Sequence, residues 1–109
     1  MVDWETALHN VGGNARMLSE LIGVFLQDAS TLMEEMARAL SERDGTTLHR
    51  TAHTLKGMVN FFGATALADT ALTLEKMGAR SDFDTAQSNY NVLTTNVKRL
   101  QAELAARTS

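Results

Sequence analysis

The stretch His49-Arg50-Thr51-Ala52-His53-Thr54-Leu55-Lys56-Gly57 concentrates the chemistry of this chain. A histidine, a lysine three residues on and a glycine four residues on fall inside an apolar pattern of helical period. Residues three and four apart are neighbours on a helix surface. The imidazole of His53, the ammonium of Lys56 and the bare backbone at Gly57 therefore converge on one patch. A nucleophilic ring nitrogen, a cation to hold an anion and a notch for a bulky partner make a minimal site for moving phosphoryl groups.

The surrounding pattern turns this patch outward. At about 100° per residue, Leu48, Ala52, Leu55, Val59 and Phe62 point within roughly 40° of one direction and form a buried stripe. By the same geometry His53 lies well over ~100° from the centre of that stripe, with His49, Lys56, Gly57 and Asn60 near it on the outer face. A mid-helix glycine costs about 1 kcal/mol relative to alanine, so Gly57 points to close approach by something outside. Phe61 falls about 80° from His53, where its ring suits a docking patch or packs on a neighbouring helix. His49 and His53, one turn apart, could chelate zinc, but no third ligand stands at a suitable spacing, and no metal site is expected.

The elements that must position the patch are helices. Asp3 can cap a short helix over Trp4–Asn10 that Gly12-Gly13 ends, and Trp4 is expected to anchor it. Asn14 caps a long segment reaching about Arg43, with Met17, Leu18, Leu21, Ile22, Phe25, Leu26, Leu32, Met33, Met36 and Leu40 at helical spacing. Small polar residues at Asp28–Ser30 are a candidate kink. Asp44-Gly45-Thr46 opens the helix carrying His53, which should end near Phe62-Gly63. A fourth segment spans about Ala64 to Met77, with Leu67, Ala71 and Leu74 inward. Ser81 with Asp84 resembles a capping box, opening a last helix over about Phe83–Ala106 on Tyr90, Leu93, Val97, Leu100 and Leu104. The six methionines are expected to fill gaps in the core. Four long helical segments on short turns predict an all-α fold, an antiparallel up-and-down four-helix bundle with a short extra N-terminal helix.

Composition narrows the functional classes. A length of 109 residues fits one domain, residues 1–109, with a modest core. Without cysteine there is neither a disulfide framework nor a thiolate metal site. A net charge of −3 with scattered basic residues argues against a nucleic-acid surface. The apolar runs fall far short of the ~20 residues needed to cross a bilayer. The N-terminus lacks the basic and apolar regions of a signal peptide. The expected setting is cytoplasmic, and the methionine start favours a separate protein. Gly12-Gly13 lacks the strand and the lysine-serine pair of a phosphate-binding loop, and reads as a turn.

The run Ala52-His53-Thr54-Leu55-Lys56-Gly57, with Phe62-Gly63-Ala64 and Leu67 after it, resembles the histidine-containing phosphotransfer (HPt) domain of multistep two-component signalling. The likeness extends over nearly the whole chain. It includes the Gly12-Gly13-Asn14 turn, the Phe25-Leu26 run and the charged Glu42-Arg43-Asp44 turn. It implies that His53 accepts a phosphoryl group from a receiver-domain phospho-aspartate and passes it to another receiver. Free imidazole titrates near about 6.5, so its neutral form is available as a nucleophile at neutral pH. Lys56 would steady the phosphoryl oxygens. Glu75, where the family carries Glu or Gln, could accept the Nδ1–H bond of His53 or stand as a solvated surface glutamate. Gly57, Asn60, Phe61 and His49 would form the docking face.

The resemblance implies receiver domains of response regulators, or a hybrid histidine kinase, as partners. With no carboxylate cluster beside His53 and no nucleotide loop, Mg²⁺ is expected from the receiver, and the domain is a monomeric carrier without kinase activity of its own. The alternative is a helical interaction module that binds a receiver or kinase without exchanging phosphate. A metal-binding bundle would need inward carboxylate or histidine pairs that the sequence lacks.

Overall fold

The computed structural model describes residues 1–108, leaving Ser109 outside, and within them all regular structure is helical. Five helices follow in order: α1 (Trp4–Asn10), α2 (Ala15–Glu42), α3 (Gly45–Phe61), α4 (Thr65–Ala79) and α5 (Ala86–Thr108). Helix α2 packs on α3 and α5, and α4 packs on α3 and α5, so the four long helices close around one core. Helix α1 lies across α2 and α3, and the body measures 41 × 21 × 18 Å.

Each of the first three helices starts on a side-chain cap. Asp3 accepts from the Thr6 N–H, Asn14 from that of Met17 and Asp44 from that of Thr47. Such caps satisfy backbone donors that the helix itself leaves unpaired. Helices α1 to α4 all end on a left-handed residue, namely Gly12, Arg43, Gly63 and Ser81. In each case the next residue's N–H reaches back to the carbonyl of Leu8, Ala39, Val59 or Met77. This double closure is the Schellman pattern. Arg43 and Ser81 adopt it at φ 52° and 51°, a conformation more usual for glycine.

Ser81 therefore corrects one expectation. It closes α4 instead of capping α5, and the capping box with Asp84 does not form. Asp82 accepts from the Asp84 N–H, and α5 starts at Ala86, three residues later than the periodicity suggests. Helix α2 runs unbroken through Asp28–Ser30, because Ala29 is fully buried against the core there.

The core is the one the apolar stripes define. Ile22, Phe25 and Met36 of α2 meet Leu48, Leu55 and Val59 of α3, Leu74 of α4, and Leu93, Leu100 and Leu104 of α5. Phe25 and Phe62 lock edge to face at 5.4 Å between ring centres, a preferred aromatic geometry. The methionines divide. Met33 and Met36 are buried, whereas Met1 and Met17 are half exposed and fill no gap. Trp4 is half-buried against the core, with the Arg107 guanidinium 4.7 Å above its ring. None of the described helices is long and apolar enough to cross a membrane.

Candidate functional site

Helix α3 buries Leu48, Ala52, Leu55 and Val59, and this fixes which way its other side points. The side chain of His53 is accordingly 64% exposed on the outer face. Thr51, also buried, folds its hydroxyl back onto the Thr47 carbonyl at 2.8 Å, so no polar group is orphaned behind the site.

Helix α4 comes unusually close to α3 because glycines face each other. A Cβ on Gly78 would lie 2.5 Å from the His49 backbone nitrogen and 2.7 Å from the Gly45 carbonyl oxygen. One turn before Gly78, Glu75 therefore reaches over α3. Its Oε1 sits 2.8 Å from Lys56 Nζ and 3.1 Å from His53 Nδ1. The carboxylate is only 13% exposed and Lys56 24%. The Lys56 ammonium bonded to it holds the Glu75 carboxyl below its ordinary range. Burial opposes this, and the His53 N–H contributes in the same direction as the lysine.

An ionised carboxylate only accepts hydrogen bonds. His53 Nδ1 must then carry the proton in this contact, and the Nε2 lone pair is left free at the surface. His49 repeats the arrangement a turn earlier, with Nδ1 3.1 Å from the backbone carbonyl of the same Glu75. The two imidazoles lie nearly parallel, 6.4 Å apart at an interplanar angle of 22°.

Gly57 is exposed, and a Cβ there would meet nothing within 4 Å. Nothing inside the protein requires a glycine at this point. Beside it an open apolar groove of about 340 Å³ runs between α2 and α3, walled by Leu21, Val24, Phe25, Gly57, Phe61 and Phe62. Val24 is 50% exposed on its rim. Phe61 is half-buried, resting edge-on against Phe62 at 5.2 Å, while its carbonyl accepts a 2.9 Å bond from Asn10. Asn60 is exposed, at the end of α3 away from His49.

His53, Lys56, Gly57 and His49 thus share one face with Glu75 brought in from α4, and Phe61 lies at the far end of the groove. Three features escaped the sequence reading. The Gly45–Gly78 crossing carried no signal beyond two glycines near helix ends. The exposure of Leu21 was hidden because its spacing resembles that of the core residues, and Val24, outside the apolar stripe, gave no sign of lining a groove. The 2.9 Å Arg50–Glu35 ion pair ties α3 to α2 across distant sequence. Among the described residues no three His, Asp or Glu side chains converge on a common metal position.

The model of the Hpt domain family matches residues 20–106 of the chain. The crystal structure of histidine-containing phosphotransfer protein B (HptB) from Pseudomonas aeruginosa PAO1 superposes with a TM-score of 0.90. That match covers 98% of this chain and 93% of the other at 20% sequence identity, and so speaks for the fold. No curated protein matches the sequence significantly.

Proposed function

From a chain that belongs to the Hpt domain family, and so serves histidine phosphotransfer in phosphorelays, we propose that His53 is the phosphoacceptor. The observation that carries this is the exposed imidazole whose Nδ1 is fixed on an ionised Glu75, leaving Nε2 as an outward lone pair. The Nε2 pair attacks the phosphorus of a receiver aspartyl phosphate. An N–P bond forms as the acyl O–P bond breaks, and the aspartate leaves as carboxylate. The Nδ1 proton stays in place, and Glu75 faces the positive charge that develops on the ring.

Phosphoryl transfer passes through a loose transition state in which positioning and charge compensation do most of the catalysis. Lys56, 2.8 Å from Glu75, is the cation within reach of the phosphoryl oxygens. Gly57 lets the receiver's loops come close, and the apolar groove with Phe61 receives its surface. His49 and Asn60 border the same face. Glu75 is already committed to Lys56 and His53, which supports placing the Mg²⁺ in the partner receiver. The proposed protein is then a carrier without kinase activity, monomeric and cytoplasmic. It would act between receivers of response regulators, or of a hybrid histidine kinase, and not on nucleic acid. We read the four long helices as an antiparallel up-and-down bundle with α1 laid across one end.

The test is His53→Gln, assayed with phosphorylated receiver domains from the same cell. Wild type should take up an acid-labile, base-stable label and the variant none, with the helical circular dichroism unchanged. Labelling of the glutamine variant at the wild-type rate would remove His53 from this role.

A further inference from the structure

We infer that His49 is a positioning residue: its bond to the Glu75 backbone holds α4 where the Glu75 carboxylate can keep His53 in the Nδ1–H form. This rests on the reading of His53 as the phosphoacceptor and adds a residue one turn away that need never touch the phosphoryl group.

The chemistry of the contact is unambiguous in direction. A carbonyl oxygen only accepts, so at 3.1 Å the Nδ1 of His49 is the donor. The same residue, Glu75, is therefore held to α3 twice, by its carbonyl through His49 and by its carboxylate through His53 and Lys56.

The glycine crossing explains why the first bond is needed. Gly45 and Gly78 set how near the two helices lie, since their backbones meet with no room for a Cβ. Leu67, Ala71 and Leu74 seat the inner face of α4 in the core, but at the crossing bare backbone offers no interdigitating side chain to hold the edge that carries Glu75 against a small turn of the helix. A turn of about 20° would move a carboxylate held ~5–6 Å from the axis by roughly 2 Å. That displacement is enough to break a 3.1 Å contact. The bond from His49 acts at Glu75 itself and so fixes that rotation where it matters. Without it the carboxylate loses its register on Nδ1, and His53 is free to place its proton on Nε2, the nitrogen that must attack.

The experiment reads the tautomer directly. Long-range proton–nitrogen correlation spectra of the uniformly labelled protein report which imidazole nitrogen of His53 carries the proton. Wild type should show Nδ1–H. His49→Phe keeps a ring beside His53 but has no donor, and His49→Ala removes the ring as well. Both should shift His53 toward Nε2–H, and phosphorylation by phosphoramidate, a small donor needing no docking, should slow up to about tenfold, the worth of one hydrogen bond. His49→Asn, whose amide N–H can take the place of Nδ1–H, should restore both readouts. An unchanged His53 tautomer and unchanged uptake in the Phe and Ala variants would overturn the inference. Absence of label on wild-type His53 would instead undo the phosphoacceptor assignment, while the tautomer measurement still judges His49.

Discussion

Gly78 of α4 crosses Gly45 of α3 so tightly that a methyl group on either would strike the other's carbonyl oxygen. The two atoms involved are backbone, which cannot swing aside. Gly78→Ala should therefore destabilise the protein by about 1–3 kcal/mol, the usual cost of overpacking, although alanine is the better helix former. Urea denaturation of the variant checks this, and an unchanged midpoint would show that α4 can shift freely.

Gly57 should behave in the opposite way. Its surroundings are open, so Gly57→Ala should raise stability by up to about 1 kcal/mol through helix propensity alone. Gly57→Leu should also melt no lower than wild type, yet slow transfer from a receiver while leaving uptake from phosphoramidate intact. A loss of uptake from both donors would place the glycine's role in the chemistry and not in docking.

Acid should loosen the α3–α4 contact through Glu75. Its carboxyl lies below the ordinary range in the folded protein, chiefly through Lys56, against about 4.3 for an unperturbed glutamate. The unfolded chain then binds the proton first. The stabilisation is complete above about pH 4.3 and disappears as pH falls through the lower folded value. Asp3 and Asp44, lowered by the backbone and side-chain bonds of the caps, act with the same sign. Glu75→Gln should therefore make stability fall less steeply in this window without abolishing the fall. Urea midpoints measured from pH 6 down to pH 2.5 decide it, and an identical slope would mean that the pair contributes nothing.

Phe61 serves two masters in the structure, with one edge on Phe62 and the rest along the groove. Truncating a fully buried phenylalanine costs about 3–5 kcal/mol, so half-burial sets the expectation for Phe61→Ala at roughly half of that. Receiver affinity should fall as well. Val24→Ala, across the groove and already half exposed, should weaken docking with a stability change within about 0.5 kcal/mol. Calorimetric melting beside binding to a phosphorylated receiver separates the two effects.

Most of the fold could be read from the sequence because it is written in local terms. Asp3, Asn14 and Asp44 cap the helices expected of them, and the stripe from Leu48 to Phe62 faces inward throughout. The start of α5 was misplaced because Ser81 takes a left-handed turn that its side chain does not advertise. The outward face of His53 and Lys56 follows from one helix and was therefore legible. Glu75 was not settled in the same way, because its place depends on how closely a second helix approaches. That distance is set by two glycines whose contribution is the absence of a side chain.

The position of Lys56 bears on how the proposed transfer at His53 would run in both directions. In the empty protein the Lys56 ammonium is not waiting unpartnered, since it already rests on Glu75 at 2.8 Å. Phosphoryl oxygens arriving on His53 would draw it away, and Glu75 would be left to the newly cationic ring. One close cation–anion pair would be exchanged for two others arranged around the same atoms, so loading would strand neither Lys56 nor Glu75. Lys56 and Glu75 would thus each keep an opposite charge at hand whether the carrier is filled or empty, as suits a relay intermediate that must release its cargo as well as accept it.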